Sequence, residues 1–158
     1  MLHLIPAPLH RLGYRAAHTA RKFWWQLRKP QIASVSVIAT DLEDRLMLVR
    51  LSYGSRSWSI PAGGVNRGEA PEDAARREFR EETGCETNYL EFIGTQVEPY
   101  HGSRNTIHVY ATKVQGNPKA DMREILEARF FPLHSLPEPL SKLTRRRLDL
   151  WRQKSKQG

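Results

Sequence analysis

Three glutamates, Glu78, Glu81 and Glu82, stand at i, i+3 and i+4 within the run GGVNRGEAPEDAARREFREETGC that spans residues 63–85. At helical spacing those offsets bring all three carboxylates to one face. Like charges so close repel one another, and a hard divalent cation bound through oxygen is the natural counter-charge. Mg²⁺ or Mn²⁺ would suit such a cluster, and both also suit diphosphate oxygens, whose charge they neutralise while making a bound water more nucleophilic. A plainer reading is a solvated, acid-rich helix in which Arg76, Arg77 and Arg80 pair with the glutamates for roughly a few tenths of a kcal/mol each. That reading accounts for the charges but leaves the flanking residues unexplained.

The flanks are those of a helix delivered by a tight loop. Gly63 and Gly64 permit a sharp turn, Pro71 suits the first helical position and Gly84 suits a left-handed C-cap. Glu72 and Asp73 fall in the first turn, where the helix dipole favours acids. Gly63, Glu69, Arg77, Glu78, Glu81, Glu82 and Gly84, with Phe79 and Cys85 at the bulky apolar positions, resemble the Nudix box, GX5EX7REUXEEXGU. Every fixed position matches, and Cys85 is merely smaller than the usual Ile, Leu or Val. The box takes up 23 of the 158 residues. The Trp58–Ala62 segment before it and the Arg129–Leu133 segment near the end also look like the family.

The resemblance implies an α+β fold, a Nudix-type α/β/α sandwich around a mixed β-sheet, here with extra N-terminal and C-terminal helices. It implies Mg²⁺ or Mn²⁺ held by Glu78, Glu81, Glu82 and the Ala62 carbonyl. Arg77 would orient the glutamates, Gly63 and Glu69 would support the loop, and Phe79 would pack inward. For activating water, Glu78 comes first; Glu124 and Glu127 are candidates for that role or for an extra metal ligand, and Glu98 is a weaker one. The implied reaction is hydrolysis of a nucleoside diphosphate linked to another moiety, with ADP-ribose, a nucleotide sugar and a nucleoside triphosphate all open. Hydrolysis at the 5′ end of RNA is an alternative, and a non-catalytic nucleotide-sensing module a more distant one. Pro99 followed by Tyr100 gives a substrate cue that points two ways. Arg56, Trp58, Tyr100 and Arg104, with Tyr53 and His101 beside them, have the chemistry to stack on a base or grip phosphate.

The net charge of +8 is unevenly spread. Residues 1–40 hold six Lys/Arg and no acid, residues 142–158 hold seven and one acid, and the middle is acidic with 12 bases against 16 acids. The basic ends therefore belong to helices outside the site, over His10–Leu27 and Leu140–Lys154, where apolar residues recur at helical spacing. Residues 1–30 read as a basic N-terminal extension and 31–158 as the domain, including its C-terminal helix. The terminal helices would pack on the domain or on a second copy as a homodimer, or draw in RNA or a membrane surface. A single cysteine excludes an internal disulfide and a multi-cysteine zinc site. No apolar run approaches the ~18 residues of a membrane span, and MLHLIPAPLH is too broken by proline for a signal core. These features point to the cytoplasm, with mitochondrial targeting as the minor alternative. Between the helices, residues 32–38 and 45–51 read as a hairpin, 88–98 and 105–114 as strands around a Tyr100–Arg104 turn, and 129–133 as the last strand.

Overall fold

The structure, a computed structural model, describes residues 32–100 and 102–157. The helix expected over 10–27 lies outside these residues, as does His101. In chain order the described elements are β1 (Ile32–Thr40), β2 (Leu46–Leu51), β3 (Trp58–Ser59), β4 (Ala62–Gly64), α1 (Pro71–Thr83), β5 (Glu91–Tyr100), β6 (Ser103–Lys113), β7 (Ile125–Phe131) and α2 (Lys142–Ser155).

β1 explains the layering. Its sequence IASVSVIAT is buried from Val35 to Thr40 on both faces, as a central strand must be. Val35, Val37 and Ala39 pack with Ala74, Ala75 and Phe79 of α1, while Ile38 points the other way, into a cluster with Ile60, Ile107 and Leu148 of α2. The period-2 alternation thus feeds two cores, one under each helix, and the α/β/α sandwich around a mixed sheet follows. Fully burying a ring such as Phe79, which is 0% exposed, contributes about 1.5–3 kcal/mol.

In the sheet, β1 runs parallel to β6 from Ile32↔Asn105 to Thr40↔Lys113, and β6 pairs antiparallel with β5. On its other edge β1 meets β4, from Ser34↔Gly64 to Ser36↔Ala62. A second group, β3–β2–β7, is antiparallel. The hairpin expected of residues 32–38 and 45–51 is largely replaced by these pairings. β1 and β2 meet only at Thr40↔Leu46, because β4 already occupies the adjoining edge of β1. The last strand also begins earlier than expected, at Ile125, since the whole of Ile125–Phe131 pairs with β2.

α1 starts with Pro71 and stops at Gly84, whose φ of 67° places it in the left-handed region while its N–H donates to the Arg80 carbonyl. Among the described residues no helix is long and apolar enough to cross a membrane.

Candidate active site

The edge of β4 that faces away from β1 meets α1. Ala62 donates its N–H to Glu82 Oε2 at 3.0 Å, and the Gly64 carbonyl accepts from Arg77 Nη2 at 2.9 Å. In an extended strand a residue's N–H and C=O project to the same edge, so the Ala62 carbonyl faces the glutamates as well. Arg77 is the organiser. Its Nε and Nη2 donate to the two oxygens of Glu69 at 2.8 and 2.9 Å, and its Nη1 donates to Glu78 Oε1 at 2.7 Å. Nη1 also stands 3.5 Å from Glu81 Oε2. A planar fork makes this set of contacts possible where a lysine could not. Glu69 passes the order on to the loop by accepting the Asn66 N–H at 2.9 Å.

The opposite wall comes from the segment before β7. Asp121 Oδ1 accepts the N–H groups of Arg123, Glu124 and Ile125 at 2.8, 3.0 and 2.9 Å, an Asx-type turn that fixes the backbone. Met122 takes a positive φ of 62° to make that turn. Glu124 is held twice more: its carbonyl accepts the Ser52 N–H at 2.8 Å, and its Oε1 accepts the Tyr53 hydroxyl at 2.8 Å. Upstream, Lys119 donates its N–H to the Thr83 carbonyl at the end of α1, at 2.7 Å. Together the walls enclose a cleft of about 400 Å³ lined by Glu78, Glu81, Glu82, Asp121, Arg123 and Glu124.

Electrostatics divide the carboxylates into two kinds. The Arg77 fork and the Asn66 N–H pull Glu69 down to about 2, so it is a fixed anion in the scaffold. Burial raises Glu78, against the pull of Arg77, and its neighbours Glu81 and Glu124 add to the rise. Glu82 is 5% exposed; burial first, then Glu124, Glu78 and Asp121, push it well above the usual carboxylate range despite the Ala62 N–H. Such groups are short of positive charge. An all-oxygen set of this kind fits a hard divalent cation such as Mg²⁺ or Mn²⁺. Among the described residues no three His, Cys, Asp or Glu side chains are drawn together at metal-binding geometry; these carboxylates line the cleft.

The other sequence candidates fall elsewhere. Trp58 requires a correction: it is 6% exposed, its ring meets Phe131 edge-on at 4.8 Å and Arg50 lies 5.4 Å from its centroid, so it belongs to the core and cannot stack on a base. Arg56 is exposed and lines a separate cleft with Tyr53 and Ser141. Tyr100 and Arg104 sit at the end of the β5–β6 pair, Tyr100 opposite Ser103 and Arg104 opposite Pro99. None of these four lines the carboxylate cleft. Glu127 is paired with Arg50 and Arg129, and Glu98 is buried beside Arg147, which leaves Glu124 as the one outer glutamate that the structure brings to the cleft. Sequence reasoning passed over Asp121 and Arg123. An aspartate at the end of a loop, followed by a strand, is a turn signal from which the first is findable.

The family model described as NUDIX domain matches residues 30–151. The chain belongs to the Nudix family. Its box residues are those that form α1 and its loop, and the mixed sheet with a helix on each side is the fold of its relatives. Among solved structures, the MutT NUDIX hydrolase of Burkholderia pseudomallei aligns with a TM-score of 0.70 at 22% identity, over 77% of this chain and 98% of that one. The NUDIX domain of Shewanella oneidensis NrtR, solved with ADP ribose, aligns with a TM-score of 0.71 at 17% identity, over 80% of this chain and 90% of that one. In sequence, the NAD-capped RNA hydrolase NudC of Salmonella heidelberg (strain SL476) is 32% identical over 109 residues, 68% of this chain and 42% of its own length. The RNA pyrophosphohydrolase of Thioalkalivibrio sulfidiphilus (strain HL-EbGR7) is 39% identical over 61 residues, 39% of this chain and 35% of its own. This Nudix chain therefore spans about two fifths or less of the length of these curated relatives.

Proposed function

We propose that this Nudix domain is a divalent-metal-dependent hydrolase that cleaves the pyrophosphate bond of a nucleoside diphosphate linked to another moiety. One observation carries the reading: a complete box whose carboxylates face one cleft, two of them raised by burial and crowding. Glu78, Glu81, Glu82 and the Ala62 carbonyl would hold Mg²⁺ or Mn²⁺, which when bound supplies phosphate neutralisation and a more acidic water. Water attacks one phosphorus, the bridging P–O bond breaks, and two phosphate-terminated products leave. Glu78 accepts the water's proton; Arg77 holds its Oε1, and its carboxylate lines the cleft. Glu124 faces it across the cleft, and Tyr53 holds Glu124 there. Arg77 and Glu69 keep the glutamates aimed, and Gly63 leaves the space that Glu78 fills.

A second reading, hydrolysis at the 5′ end of RNA, is favoured by the sequence relatives, an NAD-capped RNA hydrolase and an RNA pyrophosphohydrolase. The exposed bases of α2, Lys142, Arg145, Arg146 and Arg152, would then meet the polymer's phosphates and make binding strongly salt-dependent. The intact box counts against a purely sensing module. Cys85, buried and free, suits a reducing cytoplasm.

The test is a substrate panel with product identification: ADP-ribose, NADH, a nucleotide sugar, nucleoside triphosphates, and triphosphate- and NAD-capped RNA, each with Mg²⁺ and Mn²⁺. Release of a nucleoside monophosphate from a small substrate supports the first reading, and turnover restricted to RNA supports the second. No phosphate product from any substrate defeats both.

A further inference from the structure

Six residues line the carboxylate cleft, and one of them is a cation. Arg123 shares it with Glu78, Glu81, Glu82, Asp121 and Glu124, yet its guanidinium makes no ion pair or hydrogen bond with any described residue. A half-buried guanidinium among five carboxylates would ordinarily collapse onto one of them. The backbone that carries it is held firmly. The N–H of Arg123 is bound to Asp121 Oδ1, its neighbour Met122 is locked at a φ of 62°, and the next residue, Glu124, is tied to Ser52 and Tyr53. By contrast Arg77, the other guanidinium at the site, is saturated by Glu69, Glu78 and Gly64 and has nothing left to offer a ligand.

We infer that Arg123 is a substrate-binding residue: its guanidinium, unpaired among the described residues, receives the diphosphate of the substrate from the wall opposite α1. This rests on the reading above that the cleft takes a diphosphate. The division of labour follows from charge. The carboxylates repel a phosphate and accept it only through a cation, so a guanidinium standing among them supplies the direct donor they cannot. A guanidinium offers paired N–H groups in the geometry of two phosphate oxygens, which an ammonium cannot match. Arg123 would thereby set the orientation of the diphosphate relative to the attacking water.

The probe is methylenediphosphonate, whose P–C–P bridge resists hydrolysis, titrated calorimetrically in the presence of Mn²⁺ into the full chain and into R123A and R123K. Wild-type protein should bind it, R123A about tenfold or more weakly, and R123K between the two. Mn²⁺ alone should bind R123K as tightly as wild type, and R123A as tightly or slightly more so, because only the alanine variant removes a positive charge from the cleft. With the substrate found by the panel, the R123A loss should fall mainly on KM. Equal affinity of R123A and wild type for methylenediphosphonate overturns the assignment, as does a wild-type chain that does not bind it. If binding drops in R123A while no nucleotide is hydrolysed, the phosphate contact stands and the hydrolase reading falls.

Discussion

Glu78 occupies the space where residue 63 has no side chain. A Cβ built on Gly63 would lie 2.0 Å from Glu78 Cδ and 2.4 Å from its Cγ, far inside van der Waals contact. The box glycine and the box glutamate are therefore one steric unit, and the loop's glycine is needed for close approach more than for its backbone angles. G63A should expel Glu78 from its position beside Arg77. A displacement of about 1 Å at a reacting centre can cost about 10²-fold, and that is the expected loss in kcat. Circular dichroism should still report a folded protein, because the clash is with the outer part of a side chain at an open cleft. Near-normal turnover by G63A would contradict the steric coupling.

Under the proposed function, Glu82 would link metal binding to stability. Its folded-state pKa is raised, so between the ordinary carboxylate value of 4.5 and that higher value the native state holds a proton the unfolded chain has released. Stability contributed by this group is complete below 4.5 and is lost as pH rises through the folded-state value. E82Q, a mimic of the protonated form whose amide oxygen can still accept the Ala62 N–H, should raise the metal-free melting temperature at pH 8 and have no such effect near pH 4. Mn²⁺ should stabilise wild type by about 2.7 kcal/mol at a hundred times its Kd, and E82Q much less. Differential scanning calorimetry with and without EDTA measures both effects. Activity of E82Q should fall by about 10²–10³-fold.

The Arg77–Glu69 fork predicts the opposite pH window. Glu69 is held near 2, so its contribution is present above 4.5 and disappears as pH falls from there toward about 2. E69Q should remove that acid-side dependence while leaving the alkaline side unchanged. R77K keeps the charge but cannot serve Glu69, Glu78 and Gly64 at once, so kcat should drop about tenfold or more, 1.4 kcal/mol on the barrier. Wild-type kinetics for R77K would remove Arg77 from its organising role.

Trp58 separates packing from recognition. Truncating it to Ala should cost about 3–5 kcal/mol, as for other buried aromatic rings. W58F should recover most of that stability and leave KM unchanged, because the ring meets Phe131 and not the cleft. A large rise in KM for W58F with little change in melting temperature would put the ring back in the substrate site.

What could be read from the chain was local. Glu78, Glu81 and Glu82 share a face because helical spacing dictates it, and Gly84 ends the helix because only a residue at ease with φ of 67° can. The two-sided burial of β1 follows from its unbroken β-branched and small residues. The remaining features depend on partners distant in sequence. β1 prefers β6 and β4 to its neighbour β2, and no periodicity within 32–51 encodes that choice. Trp58 offers the same indole whether it faces solvent or Phe131. Nothing local in the sequence marks Arg123; the Asp121 turn and the five surrounding carboxylates do.

The wall that carries Arg123 and Glu124 is anchored at both ends, upstream where Lys119 caps the Thr83 carbonyl of α1 and downstream where Glu124 accepts the Ser52 N–H. Its backbone is thus ordered during folding, and only side chains remain to be arranged when a ligand arrives. Association then loses little main-chain freedom, so selectivity among nucleotides falls to whatever extends beyond the diphosphate. A chain built this way could exchange one substrate for another by altering the rim, with the frame around the broken bond left untouched.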